Sequence, residues 1–234
     1  MLALYIANKN YSSWSLRPWV LMKALGIPFE ERLVPFGEGP GLHGFESFSP
    51  TAKVPCLHDG ARVVWDSLAI AEYLAESFPS VWPAERTARA WARSATAEMH
   101  SGFGALRSTC SMTVGQRVRL RSMEPALATD VSRIDQLWCE GQNRFGGPFL
   151  AGAMFTAVDA FFAPVAFRVR SYGLGLSSPA SAYAERLLAL PAMREWESAA
   201  LAEPWREAAH EAEVAAAGEI LEDHRAPTQS PPSL

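Results

Sequence analysis

The densest chemistry in the chain lies in "YSSWSLRPW", positions 11–19, where Ser12, Ser13 and Ser15 stand close to Arg17 and two tryptophans, Trp14 and Trp19. A serine hydroxyl here can serve the chain or a ligand. At a helix start it accepts from an unpaired backbone N–H; in a loop it is free to donate. Pro18 separates the two uses. Capped by Ser13, the following helix would carry Pro18 at its fifth position and lose an intrahelical bond; capped by Ser15, it carries Pro18 at its third, where a missing N–H costs little. The spacing predicts Ser15 as the cap and leaves Ser12 and Ser13 in the loop, facing a ligand. Arg17 reads as a cation with a structural partner.

Three further stretches carry candidate groups. In "KVP", residues 53–55, a proline opens a strand beside an exposed edge, which is either structural or a place where an extended peptide can pair. In "WDSLAIAEYL", Asp66 and Ser67 precede an amphipathic helix. They are an N-cap, or, with the free N–H groups of that helix start, a carboxylate site. In "TAEMHSGFGALR", Thr96, His100, Phe103 and Arg107 recur at helical spacing on one predicted face. Gly102 and Gly104 weaken such a helix by about 1 kcal/mol each, so they make room for a ligand or for a neighbouring helix. By contrast, Thr156 and Asp159 in "FTAVDAFFAPV" form a capping box at the head of an apolar helix and read as structural.

The elements that must position these groups change character near residue 80. Before it, "LALYIA", "FEERLVPF" and "KVPCLHDGARVVWDS" read as strands, the last with an Asp-Gly hairpin signal, and "SLRPWVLMKALG" and "LAIAEYLAESF" read as helices. The segment "GEGPGLHG" is a loop. That order is a small α/β layer over 1–79. After a linker at 80–86, residues 87–222 carry helical periodicity throughout, and 223–234 is expected to be a disordered tail.

Composition narrows the function classes. The chain has 234 residues, 49% hydrophobic and 20% charged, with a formal charge of -4 and no basic stripe, which argues against nucleic acid. No stretch approaches a membrane span, and the N-terminus reads as a first strand rather than a leader. Cys56, Cys110 and Cys139 are scattered, as for reduced thiols in a cytoplasmic protein, and five histidines lack ligand spacing, so no metal is expected.

In this order and at these distances, "SSWSLR", "KVP", "WDS" and "TAVD" resemble the cytosolic glutathione transferase family, over nearly the whole chain to about residue 215. The resemblance implies a thioredoxin-like N-terminal domain, an all-α C-terminal helical domain and a homodimer. It also implies glutathione as co-substrate and an electrophilic small molecule as acceptor. The serine motif is most similar to that of the zeta class, Ser-Ser-Cys-Ser-x-Arg, with Trp14 where the class has Cys. What this implies is Ser12, or its neighbour Ser13, at the glutathione sulfur, Val54 and Pro55 at the cysteinyl backbone, and Asp66 with Ser67 at the γ-glutamyl end. Lys53 is either at the glycyl carboxylate or in solvent. Trp14, His100, Phe103 and Arg107 become candidates for the acceptor wall or for the dimer interface, with the acceptor anionic or polar. The class holds a substrate carboxylate with an Arg beyond the Thr-x-x-Asp helix; here Ser171 aligns there, with Arg168 and Arg170 nearby.

The chemistry such a site must do is definite. An unperturbed thiol has a pKa of about 8.5 and only the thiolate attacks, so the site must stabilise a sulfur anion. A serine hydroxyl can donate to it, and the positive end of the following helix adds to the effect. The expectation is a serine-type glutathione S-transferase with a role in detoxification. The alternatives are a relative that binds glutathione or a protein without turnover, a zeta-type maleylacetoacetate isomerase, and an omega-type thiol reductase. The last needs a cysteine in the first-helix motif, and there is none.

Overall fold

The computed structural model describes residues 1–37 and 44–227. Most of the "GEGPGLHG" loop, and residues 228–234 of the expected tail, lie outside the described residues. Strand β1 (Leu2–Ile6) leads into helix α1 (Ser13–Ala24), and β2 (Glu30–Leu33) returns parallel to β1, the crossover that a parallel pair requires. Strands β3 (Cys56–Asp59) and β4 (Arg62–Trp65) form an antiparallel hairpin, with Gly60 at φ 59 in its turn, and helix α2 (Ser67–Ser77) follows. The sheet runs β2-β1-β3-β4. Leu4, Ile6 and Leu57 of its central strands are fully buried, as are Leu16 and Val20 of α1 and Ile70 of α2, so the apolar periodicities of strand and helix meet in one core.

The second half is built on helices α3 (Arg86–Ser101), α4 (Gly104–Thr109), α5 (Pro125–Phe145), α6 (Ala157–Tyr172), α7 (Ser178–Leu188), α8 (Pro191–Ala202) and α9 (Ala208–Ala217). Helix α6 is buried along almost its whole length, which suits a helix apolar nearly all round. Its start is fixed by the expected Thr156–Asp159 capping box, and the Asp159 carboxylate also accepts from Leu150 N at 3.0 Å and Tyr183 Oη at 2.8 Å. Helix α1 packs on α6 and α8, where Trp19 meets Trp196 edge-on at 5.1 Å. The result is a mixed α/β layer followed by a helical domain, the thioredoxin-like and helical pair that the motifs imply.

Three local expectations need correction. Residues 116–120 and 218–223, read as helical, are strands β5 (Gln116–Leu120) and β6 (Gly218–Asp223) in an antiparallel pair. The alternation in "QRVRL" was the signal, with Gln116 and Val118 buried and Arg119 exposed. Gly218 is needed there because a Cβ would stand 2.1 Å from the Arg119 carbonyl oxygen. The chain beyond β6 is ordered as far as the description runs, with Arg225 buried rather than in a tail. Finally, α3 ends at Ser101 and Phe103 adopts φ 58 between its glycines, so Thr96, His100, Phe103 and Arg107 do not share one helical face.

Candidate functional site

The loop from Ala7 to Ser12 joins β1 to α1, and its turn is closed by Tyr11 N and Ser12 N donating to Asn8 O at 3.1 and 2.8 Å. The helix begins at Ser13, with Ser12 rather than Ser15 in the cap position. Ser15 is turned inward: its Oγ accepts from Ala7 N at 3.2 Å and from Ser12 Oγ at 2.7 Å, tying the helix to the end of β1. That tie outweighs the single intrahelical bond that Pro18, now inside α1, cannot donate. The correction separates the two loop serines. Ser12 gives its one proton to Ser15, whereas the Ser13 hydroxyl has no hydrogen-bond partner among the described residues.

Both serines line a cavity of about 820 Å³ between the sheet and the helical half. On the sheet side stand Lys53, Val54, Pro55, Asp66 and Ser67. Val54 precedes β3 through a cis peptide to Pro55, and neither its N–H nor its C=O has a backbone partner among the described residues. Ser67 is buried at the first position of α2, where the helix start leaves N–H groups to be satisfied. Asp66, at φ 75, caps that helix by accepting from Leu68 N at 2.7 Å, and His100 Nε2 lies 3.3 Å from its other carboxylate oxygen. Burial pulls the His100 imidazole below its ordinary pKa although Asp66 pushes it up. The Lys53 ammonium makes no ion pair among the described residues, and it lies on the cavity wall.

Arginines gather at the helical side and make no ion pair among the described residues. Arg17 is buried and, among the described residues, gives only one hydrogen bond, Nη1 to Ser67 Oγ at 3.4 Å, with its Nε unpaired. Its guanidinium carbon lies 4.1 Å from the centre of the Trp14 ring, and that of Arg107 lies 4.7 Å from the same ring. Arg107 holds backbone carbonyls of Met99, His100 and Gly102 through Nη2 and Nε, and Arg168 holds those of Cys110 and Pro164 through Nε and Nη1. The remaining terminal nitrogen of each has no partner among the described residues, and both residues line the cavity. Burial lowers the pKa of all three, that of Arg168 to about 10; Arg107 depresses Arg17 and Arg168 further and Arg168 depresses Arg17, while Asp66 pushes Arg17 up and Asp130 pushes Arg107 up. A buried cation lacking an anion is unfavourable, so this wall is set up to receive a negative charge.

Of the acceptor-wall candidates, Trp14 and Arg107 face the cavity. His100 and Phe103 do not: His100 turns to Asp66 and to the Trp14 ring edge, and Phe103 is core. Arg168 does the lining, while Ser171 donates to Thr113 O and Arg170 pairs with Glu197. Tyr11, Phe36 and His210 were missed. Their rings stack, His210 on Tyr11 at 5.1 Å and on Phe36 at 5.1 Å, and form a flat apolar flank. No sequence signal links His210 to the serine loop, 198 residues away. Tyr11 Oη donates to Glu211 at 2.6 Å, so its proton is directed away from the serines.

Two family models match the chain, the glutathione S-transferase N-terminal domain over residues 11–77 and the C-terminal domain over residues 89–199. Among curated proteins, it is 26% identical to glutathione S-transferase T1 of Arabidopsis thaliana over 62% of the chain and 65% of that protein. It is 31% identical to glutathione S-transferase theta-1 of Bos taurus over 60% of the chain and 62% of that protein. The match thus spans a little under two thirds of each of these two curated relatives. A glutathione transferase homolog from Burkholderia with bound glutathione superposes with TM-score 0.63 at 25% identity, covering 85% of this chain and 97% of that one. A zeta-class maleyl pyruvate isomerase is similar in fold, with TM-score 0.64 at 23% identity over 84% and 97%, and neighbours from the omega and tau classes are as similar.

Proposed function

We propose, from the premise that this chain belongs to the glutathione S-transferase family, that it is a glutathione transferase of the serine type. The observation that carries the reading is the free Ser13 hydroxyl at the start of α1, in a cavity that also holds an unpaired Val54 backbone and the N-terminus of α2. The Val54 N–H and C=O pair with the cysteinyl backbone of glutathione as an added strand would. Ser67 with its helix N-terminus receives the γ-glutamyl carboxylate, and Arg17 behind it adds a positive charge that makes no ion pair among the described residues. Asp66 takes the γ-glutamyl ammonium and Lys53 the glycyl carboxylate.

The sulfur then meets the serines. Ser13 donates to the thiolate, helped by the positive end of α1. Ser12 keeps its bond to Ser15 and holds the loop in shape. The thiol proton leaves to solvent, the sulfur lone pair forms a bond to the electrophilic carbon, and the leaving group departs with its electron pair. Arg107 and Arg168 favour an acceptor that carries a negative charge, with the rings of Tyr11, Phe36 and His210 against its apolar part. The cysteines of the chain do not line the cavity, and Cys56 donates to Phe48 O with its pKa raised by burial, which argues against a thiol reductase. No helix among the described residues is long and apolar enough to cross a membrane. The same reading makes the protein a cytoplasmic homodimer.

Calorimetry with glutathione, followed by a conjugation assay with a reactive aryl halide, tests the reading. Binding below millimolar glutathione with turnover above the uncatalysed rate supports it. Binding without turnover against several electrophiles would favour a non-catalytic binder, and no binding at millimolar glutathione would end it.

A further inference from the structure

Besides the bonds within the turn and those from Ser15, Glu31 and Phe36, the serine loop is held by groups far along the chain. Trp196 Nε1 donates to Lys9 O at 2.9 Å, and Glu203 accepts from Lys9 N at 2.6 Å and Asn10 N at 3.3 Å. Asn10 Oδ1 in turn accepts from Val114 N and Gly115 N, each at 3.0 Å. Nearest the hydroxyls is Tyr11, whose Oη donates to Glu211 at 2.6 Å and accepts from Arg225 Nη1 at 3.0 Å.

That last tie exists only because the chain turns back after α9. Pairing of β6 on β5 delivers Arg225, whose side chain is 3% exposed and grips Glu211 and Asp223 through both terminal nitrogens and Nε. A path has been left for it. A Cβ on Gly115 would lie 2.3 Å from Arg225 Cγ, while His224 N donates to Gly115 O and Ala226 N to Leu201 O, threading the segment past that point. The grip also sets the direction of the Tyr11 proton. With Glu211 held as a carboxylate by Arg225, Tyr11 must donate outward, which leaves the sulfur to the serines.

We propose that Arg225 is a positioning residue for the reaction: clasped by β6 and acting through Tyr11, it holds the Ser12–Ser13 turn in the geometry that donates to sulfur. This rests on the glutathione reading of the site. The Val54, Asp66 and Ser67 contacts lie on other elements, so the clasp governs the sulfur and leaves the tripeptide's hold unchanged. A displacement of about 1 Å at a reacting group can lower a rate roughly a hundredfold, so loosening one of several ties is expected to act over one to two orders of magnitude.

Arg225→Gln and Tyr11→Phe test it, the second keeping the Arg225–Glu211 pair and removing only the hydroxyl. The measurements are kcat, glutathione affinity by calorimetry, the ultraviolet titration of bound thiolate, and amide exchange over residues 9–13 and in β6. Expected for Arg225→Gln is a kcat lower by about tenfold or more, affinity within about threefold, a bound thiol titrating higher, and faster exchange at residues 11–13. Tyr11→Phe shifts the same readouts while exchange in β6 stays that of the parent. Parent-like thiolate titration and loop exchange in either folded variant would overturn the proposal, as would a kcat loss that only follows the unfolded fraction. If Arg225→Gln does not fold, Tyr11→Phe decides alone. If the parent binds no glutathione, the functional reading falls, and exchange over residues 9–13 still decides whether the clasp holds the loop.

Discussion

Replacing Arg107 by Gln removes one of the two arginines with a free terminal nitrogen on the cavity wall among the described residues. A hydrogen bond to a charged group contributes about 1.5–3 kcal/mol, which is about 10- to 150-fold in kcat/KM for an acceptor whose anionic group it receives. A neutral acceptor of the same shape makes no such bond and is expected to change by less than about threefold. The assay pairs 4-chloro-3,5-dinitrobenzoate with its methyl ester, which share the reacting carbon and differ in charge. Arg107→Lys separates charge from fit: a point charge on a flexible stem restores part of the preference but not the fork that holds the Gly102 and His100 carbonyls. Glutathione affinity is read alongside, because the residue touches none of Val54, Asp66 or Ser67. An equal loss for both acceptors in Arg107→Gln would show that Arg107 only stabilises the end of α3, and the argument from unpaired cations would be refuted.

Two other outcomes are expected. Ser67→Ala, by removing a hydroxyl at the start of α2 and the acceptor of Arg17 Nη1, weakens glutathione about tenfold, read by calorimetry; unchanged affinity would move the γ-glutamyl end elsewhere. Burial lifts the Asp159 carboxyl to about 6, against the bonds from Leu150, Thr156 and Tyr183 that favour its charged form. Its folded pKa is raised, so its contribution to stability is fully present below the unfolded value of about 3.9 and is lost as pH rises through 6, by about 3 kcal/mol in all. Urea unfolding of the parent and of Asp159→Asn between pH 4 and 8 should differ by that slope, and parallel curves would refute it.

The fold was legible where periodicity and punctuation agreed. Asp-Gly marked the hairpin, Gly26 the end of α1 at φ 66, and Thr156 with Asp159 the start of α6. It was illegible where tertiary contacts overrode local preference. Ser15 reads as a cap until the end of β1 offers Ala7 N to its hydroxyl, and β6 reads as helix until β5 pairs with it. The site divides in the same way. Ser12, Ser13, Val54, Asp66 and Ser67 sit at element ends that the sequence marks with turn and cap residues, and they could be found there. Arg168, toward the end of buried α6, was legible only as a neighbour of the aligned Ser171, and His210 reaches the cavity from α9; the spacing along the chain carries no trace of where those helices pack.

The central claim is that a serine hydroxyl stabilises the glutathione sulfur as an anion, and the ultraviolet titration of bound thiolate in Ser13→Ala and Ser12→Ala reads it most directly. The parent should show thiolate well below the free thiol's pKa of about 8.5. Ser13→Ala should raise the bound pKa by about one to two units, the equivalent of one charge-assisted bond, with most of the tripeptide's affinity kept. Ser12→Ala, whose hydroxyl serves Ser15, should move it less. A titration unchanged in both variants would contradict the account and hand the sulfur to the backbone at the start of α1.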